Sequence, residues 1–145
     1  MSDNHQYQVH LHWASDRKGI IQSDALNTKI EVATPPEFPK GIAGIWSPEH
    51  LFVGAVNSCF MTTFLAVAEN SKLDFSAFEC NAIGMLEKVE GKFQITTITL
   101  FPQLTLVDED KKDKALRVME MSEKACLVSN SIRSQVVLEP VVLFA

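Results

Sequence analysis

The sequence predicts an α/β protein of the α+β type, in which antiparallel strands flank two helices. The chain opens with alternating apolar and polar residues, the period of two that strands show. A long uncharged helix follows, and a second, charged helix comes after another β-rich stretch. At 145 residues the chain can bury one core, so we expect a single domain over residues 1–145.

The first helix has a clear start signal. Ser47 is a good N-cap, Pro48 has no N–H to leave unsatisfied, and Glu49 places a carboxylate at the positive helix end. From Leu51 to Ala68 there is no formal charge, and apolar residues occupy every face. This pattern predicts a helix buried on all sides.

A membrane span is the competing interpretation of this helix, since about 18 uncharged residues reach the lower limit of a spanning helix. Four polar side chains interrupt the apolar body, and neither end carries a cluster of Lys and Arg. We therefore expect no membrane insertion. Gly54 and Ser58 are small residues four apart, which favours close approach of a twin helix in a homodimer.

Charge and cysteine usage exclude several function classes. The formal net charge is −5, and no run of Lys and Arg suited to phosphates occurs, which argues against a nucleic-acid partner. The N-terminus has no apolar stretch after a basic start, so we expect no secretory signal and a cytoplasmic protein. Three cysteines at 59, 80 and 126 are neither a disulfide framework nor a C-x-x-C zinc motif.

The opening segment predicts a small antiparallel sheet. Residues 7–13 alternate as a half-buried strand that places His10 and His12 on one face. Two histidines on a strand can chelate a metal, but the sequence shows no third ligand, so we assign no metal. The following turn predicts a hairpin that displays Arg17, and residues 26–32 predict a third strand.

A proline-rich segment leads to the first helix, and a second β-rich region follows it. Residues 35–46 predict a packed loop that could wall a pocket. Cys80 falls on the apolar face of a strand over 78–86, which favours a small buried hydrophobe. The strand over 93–107 changes its apolar phase near Thr96, which predicts a bulge there, and Pro102 marks a second irregularity or an edge.

The last third of the chain predicts a helix and a closing strand. D-E-D-K-K-D-K opens the helix with acidic residues first, which suits the helix dipole. Cys126 lies near the end of this helix, and a strand is predicted over 135–144 with Pro140 inside it.

Two cysteines on different apolar helices permit a redox interpretation. A thiolate is the reactive form of cysteine, and a nearby guanidinium lowers its pKa. Cys59 could thus attack a peroxide O–O bond and form a sulfenic acid, which condenses with a second thiol within reach, such as Cys126. Two buried structural cysteines are the alternative that the residues leave open.

The helix segment S-P-E-H-L-F-V-G-A-V-N-S-C-F resembles the core motif of the OsmC/Ohr family, the osmotically inducible and organic hydroperoxide resistance proteins. The resemblance covers nearly the whole chain. It implies that Cys59 is the peroxidatic cysteine, that Cys126 in A-C-L-V-S-N-S is the resolving cysteine, and that Arg17 completes the site, held by Glu49. His50, which follows the glutamate, is expected at the surface.

The same resemblance implies a fold and an activity. The fold would be an intertwined homodimer with two long central helices back to back and strands around them. The activity would be that of a thiol-dependent peroxidase on organic hydroperoxides. An external dithiol, a lipoylated protein in the best-known branch, would reduce the disulfide. No metal, haem or flavin cofactor is implied.

The helix spacing adds a prediction about assembly. Glu49 and Cys59 are ten residues apart, roughly 15 Å along a helix axis. Antiparallel packing of two such helices would bring Glu49 of one subunit near Cys59 of the other, so we expect active sites at the dimer interface. Two other functions remain open: a non-catalytic dimeric binding protein for an apolar small molecule, and a thiol redox sensor.

Overall fold

The computed structural model describes residues 4–145; the predicted absence of a secretory signal rests partly on residues 1–3, outside that range. The chain forms two compact units, one ending at Phe52 and one beginning at Val53. We number the strands and helices β1 His10–Ser15, β2 Lys18–Gln22, β3 Ile30–Ala33, α1 Pro48–Asn70, β4 Phe75–Val89, β5 Lys92–Leu106, α2 Lys112–Ala125, β6 Gln135–Leu138 and β7 Val141–Phe144. Short 3-10 turns span Glu109–Lys111 and Ser129–Ser131.

The N-terminal unit carries an antiparallel sheet in the order β1-β2-β3. The predicted hairpin is confirmed, with Arg17 in the tight turn between β1 and β2. The third strand is shorter than predicted and begins only at Ile30. Leu26 lies in a turn, where its N–H donates to the carbonyl of Ser23. The prediction differs because apolar alternation over a few residues does not distinguish a strand from a turn.

Strand β1 is not half-buried as predicted. All six of its residues are exposed, and so are the apolar side chains before it, with Tyr7 at 91% and Trp13 at 76%. Strand β1 is an edge strand of its sheet, so half of its backbone groups have no ladder partner in that sheet. An exposed apolar edge of this kind is typical of a surface that another chain covers.

The start of α1 follows the predicted cap. Ser47 is fully buried, its hydroxyl accepts from the N–H of His50 at 3.1 Å, and its carbonyl accepts from Leu51 at 3.0 Å. The Ser47 hydroxyl also lies 2.6 Å from Nδ1 of His50. His50 itself is exposed, as predicted, and its ring meets Trp46 edge-on.

Helix α1 is buried on one face only in the single chain, and its burial on all sides was predicted for a helix paired with its twin in a homodimer. Only four of its 23 residues are buried: Val56, Phe60, Phe64 and Ala68. Phe60 and Phe64 pack against Phe78 of β4, and Phe64 also meets Phe75. The other faces are exposed because one sheet covers only one side of a helix. Among residues 4–145, α1 alone has the length and composition to cross a membrane, a test that core helices of soluble proteins also pass.

The sheet of the C-terminal unit is mixed, whereas only antiparallel pairing was predicted. Strands β4 and β5 form a long antiparallel hairpin, while β6 and β7 both pair with β5 in parallel. The bulge is confirmed, because Met85 pairs with Thr97 and Leu86 with Ile95, so that Thr96 has no partner. The hairpin turn is Glu90-Gly91, both with positive φ, a conformation that glycine adopts without strain.

The predicted closing strand is two strands. Pro140 separates β6 from β7, since proline cannot donate to a ladder. Strand β6 pairs with β5 as far as Leu100, and β7 pairs with it from Gln103 onward. Pro102 lies between these two pairings, so it marks an irregularity in a central strand and not an edge.

Helix α2 presents one buried stripe, formed by Ala115, Val118, Met119 and Ser122. The core-facing residues of β5 are all even-numbered, as its second apolar phase predicts: Ile98, Leu100, Leu104 and Leu106. Cys126 is fully buried and caps the end of α2. The core of this unit thus extends to the segment that follows α2.

Candidate functional site

Two of the three cysteines lie together in the C-terminal unit. Cys59 is part-buried in the middle of α1, and the hydroxyl of Thr63, one turn later, lies 3.9 Å from its sulfur. Cys126 follows the last residue of α2, with an extended backbone at φ −66° and ψ 114°. Cys126 lies close enough to Cys59 for each thiol to influence the pKa of the other. Helix α1 and the end of α2 therefore bring two free thiols near each other.

The surroundings of Cys59 favour its thiolate. Burial raises the pKa of the Cys59 thiol, but hydrogen bonds from the Val128 N–H, the Cys126 thiol, the Thr63 hydroxyl and the Leu127 N–H outweigh that effect. The pKa of Cys59 is therefore lower than its ordinary value. A lowered pKa increases the fraction of nucleophile at neutral pH.

The surroundings of Cys126 favour its protonated form. Burial is the largest cause that raises the pKa of Cys126, and the neighbouring Cys59 raises it further. The N–H and hydroxyl of Ser129 act in the opposite direction. Ser129 Oγ is buried, and it makes no hydrogen bond of ordinary geometry among residues 4–145. Of the two thiols, Cys59 loses its proton first and Cys126 donates to it.

The third cysteine has a different environment. Cys80 lies on β4, half-buried, in the alternating pattern that the sequence predicts for that strand. Burial raises the pKa of Cys80 to about 11, and a backbone hydrogen bond at Phe101 offsets this only in part. Cys80 is therefore a protonated, unreactive thiol at neutral pH, in accord with the prediction that it is a small apolar side chain.

The other two predicted site residues belong to the N-terminal unit. Arg17 is exposed at the hairpin tip, where the indole N–H of Trp13 donates to the carbonyl of Asp16 at 2.9 Å. Arg17, Lys18 and Pro48 line a cavity of about 400 Å³ whose other walls include Trp13. Glu49 is the second residue of α1, and its Oε1 is buried without a hydrogen-bond partner among residues 4–145. A buried carboxylate oxygen of this kind requires a donor.

The site contains groups that sequence reasoning missed. Thr63 could have been found, because a hydroxyl four residues after a helical cysteine lies on the same face. The N–H groups of Leu127 and Val128 could not, since main-chain donors have no side-chain signature. Among residues 4–145 no group of three His, Cys, Asp or Glu side chains could hold a metal, and the rings of His10 and His12 simply lie 6.1 Å apart.

Together, fold and site define a small α+β protein whose long helix carries a low-pKa cysteine against a second, protonated thiol. Residues 41–141 match the model of the OsmC-like protein family, so the chain belongs to that family. The full chain is also similar to the uncharacterized protein YmaD of Bacillus subtilis, with 27% identity over 144 residues that cover 96% of this chain and 93% of YmaD.

Solved structures show the same fold. An OsmC-like protein of unknown function from Vibrio cholerae superposes with a TM-score of 0.86 at 23% identity, covering 95% of this chain and all of the other. An organic hydroperoxide resistance protein OsmC from Legionella pneumophila gives 0.76 at 22% identity, covering 97% and 99%. The chain therefore has the OsmC-like α+β fold, which confirms the family resemblance.

Proposed function

We propose that the protein is a thiol-dependent peroxidase that reduces organic hydroperoxides, with Cys59 as the peroxidatic and Cys126 as the resolving cysteine. One observation carries the proposal: the two neighbouring thiols have opposite pKa shifts, with that of Cys59 lowered and that of Cys126 raised. This division matches the two roles, because attack on a peroxide needs a thiolate and resolution needs a second thiol within reach. Family membership and the hydroperoxide resistance proteins among the structural neighbours support the substrate class.

The first step oxidises Cys59. Its thiolate attacks one oxygen of the hydroperoxide, an S–O bond forms and the O–O bond breaks. The alkoxide leaves and takes a proton to become the alcohol. Cys59 is then a sulfenic acid.

The second step forms the disulfide. The sulfur of Cys126 attacks the sulfur of the Cys59 sulfenic acid, and the hydroxyl group leaves with the Cys126 proton as water. An external dithiol, such as a lipoylated protein, then reduces the disulfide to two thiols and is itself oxidised. No metal, haem or flavin takes part in this cycle.

Arg17 and Glu49 are assigned supporting roles. A guanidinium can donate to the peroxide oxygens and stabilise the charge that develops on the leaving alkoxide. The buried and unpaired Oε1 of Glu49 is an acceptor that a bidentate arginine would satisfy. We assign Arg17 to the peroxide and Glu49 to the orientation of that arginine.

The exposed side of α1 supports a homodimer. A stripe at helical spacing is left open in the single chain: Ala55, Ser58, Met61, Thr62, Leu65 and Ala66. A second copy of the same helix would cover it, and would place Glu49 of one subunit near Cys59 of the other. In light scattering, the wild-type protein should have the mass of a dimer, twice 16.1 kDa. Met61→Arg places a charge in the stripe and should give a monomer of 16.1 kDa. A monomeric protein with full peroxidase activity would refute the shared site.

We also assign a cytoplasmic location, since a transient thiol–disulfide cycle suits a reducing compartment.

Peptide mapping after a single oxidation tests the proposed function. The reduced protein receives one equivalent of cumene hydroperoxide, and free thiols and intact mass are measured. We expect two thiols to disappear per chain and one bridge between Cys59 and Cys126. Survival of all three thiols would reject the peroxidase. In that case an apolar ligand for the cavity that includes Leu11, Trp13 and Val32 becomes the function to test. A bridge that forms with negligible turnover under a dithiol would instead identify a redox sensor.

A further inference from the structure

The polar face of the first hairpin carries three side chains that the thiol chemistry does not use. We propose that His10, His12 and Gln22 form a binding site for one divalent transition-metal ion of the zinc class. The three residues lie within the N-terminal unit, and the inference does not depend on the proposed function.

Strand register brings the three side chains to one face. Strands β1 and β2 are antiparallel, with His10 opposite Gln22 and His12 opposite Ile20. Residues two apart on a strand share a face, and directly opposed residues have Cβ atoms about 5 Å apart. The two histidines therefore gain a neighbour from the adjacent strand. This neighbour is the third ligand that the sequence alone does not show.

The amide oxygen of Gln22 needs a partner. Its Oε1 is buried and accepts no hydrogen bond among residues 4–145. The amide oxygen of Gln8, by contrast, accepts from the Ser23 hydroxyl at 3.3 Å and from the Asp24 N–H at 3.2 Å. A buried acceptor without a donor costs free energy, so a cation beside Gln22 stabilises the fold.

The donor set selects the kind of ion. Imidazole nitrogens suit Zn²⁺, Ni²⁺ and Cu²⁺, whereas Mg²⁺ and Ca²⁺ prefer oxygen ligands. The ring centroids of His10 and His12 lie 6.1 Å apart, with planes tilted by 39°. Both side chains are exposed, so their rotation can bring one nitrogen of each ring to a metal–nitrogen distance of about 2 Å. Water completes the coordination at this exposed edge.

The ligands come from two strands, so the ion cross-links them. Strand β1 is an edge strand, and β2 is its neighbour in the sheet. An ion that binds the folded hairpin more tightly than the unfolded chain stabilises the fold. We therefore expect Zn²⁺ to raise the Tm of the wild-type protein more than that of His12→Gln.

Thiolates bind the same metals, so affinity is measured in a full-length protein that carries Cys59→Ser, Cys80→Ala and Cys126→Ala. Isothermal titration calorimetry should show one equivalent of Zn²⁺ bound and no binding of Mg²⁺. In the wild-type background, whatever the thiols bind, His12→Gln should remove one equivalent of Zn²⁺. This second comparison does not require the cysteine-free protein to fold.

Variants of the ligands separate this site from adventitious binding. His10→Gln and His12→Gln should each weaken Zn²⁺ binding on the order of 10²-fold, because a chelate loses one arm. Gln22→Leu should weaken it about fivefold, as for one neutral contact, while Gln22→Glu should strengthen it by adding charge. His5→Gln removes an exposed histidine outside β1 and, as the control, should leave the affinity within about twofold.

Cu²⁺ gives a second measurement with a spatial readout. In the ¹⁵N-labelled cysteine-free protein, substoichiometric Cu²⁺ should broaden the amide signals of His10, His12 and Gln22 before those of other residues. Broadening centred on His5, or wild-type Zn²⁺ affinity in His10→Gln or in folded Gln22→Leu, overturns the inference. The cysteine-free protein has no thiol chemistry, so metal binding and peroxidase activity succeed or fail independently.

Discussion

Cys59 and Cys80 are both free cysteines of the C-terminal unit, but they have opposite acid–base behaviour. Both side chains are part-buried in the C-terminal unit, and burial is the largest single influence on the pKa of each. Cys80 has one backbone donor, at Phe101, and its pKa rises to about 11. Cys59 has four donors from two segments, and its pKa falls. Deeper burial with a single donor leaves the pKa of Cys80 raised, whereas shallower burial with four donors leaves that of Cys59 lowered.

Removal of each thiol should give the largest contrast. Cys59→Ser should lower the rate of cumene hydroperoxide consumption by on the order of 10³-fold or more, because the nucleophile is lost. Cys80→Ala should leave the rate within about twofold, since its protonated thiol takes no part. Coupled assays with a dithiol reductant measure both. Substantial peroxidase activity in Cys59→Ser would show that Cys59 is not the peroxidatic cysteine.

Loss of the resolving thiol should separate the two steps. Cys126→Ser should complete one round of oxidation and then stop at the Cys59 sulfenic acid, because no second thiol can condense with it. Dimedone labelling and intact mass would detect that species. The serine hydroxyl keeps a donor beside Cys59, so the first round should slow by only a fewfold. Continued turnover at the wild-type rate would show that another thiol resolves the intermediate.

Alkylation as a function of pH should reveal two separate titrations. A thiol reacts as its thiolate, so reactivity rises as pH passes its pKa. Cys59 should become reactive below the ordinary range of cysteine, whereas Cys80 should require a pH near 11. At pH 7 only about one Cys80 in 10⁴ is a thiolate, so iodoacetamide should label Cys59 first. Equal labelling of the two at pH 7 would contradict the assigned environments.

The sequence predicts the scaffold of this site better than its chemistry. Two local predictions are confirmed: Ser47 caps the start of α1, and the bulge in the hairpin lies at Thr96. The half-burial predicted for β1 is wrong for the single chain because apolar composition shows that a surface needs a partner, not whether its own chain provides it. The proximity of Cys59 and Cys126 depends on tertiary packing between segments more than 60 residues apart.

The roles of individual donors lie outside sequence reasoning for a similar reason. Any residue can present an N–H group, so nothing in the letters of Leu127 or Val128 indicates a thiolate contact. Arg17 and Glu49 were assigned from the family resemblance, and their roles stay predictions. Thr63 is an intermediate case. The sequence predicts that it shares a helix face with Cys59, but not how much its hydroxyl lowers the pKa of Cys59.

Thr62 and Thr63 allow the smallest and most selective test of the comparison. The Thr63 hydroxyl lies 3.9 Å from the Cys59 sulfur, a long contact, whereas the Thr62 hydroxyl donates to the Cys59 carbonyl at 3.1 Å and leaves the sulfur alone. Valine matches threonine in shape, so each substitution removes one hydroxyl with little repacking. Thr63→Val should raise the pKa of Cys59 by a few tenths and slow its alkylation about twofold below that pKa, while Thr62→Val should change neither. A larger effect from Thr62→Val would mean that the helix backbone at Cys59, and not the donors around its sulfur, sets the reactivity of this thiol.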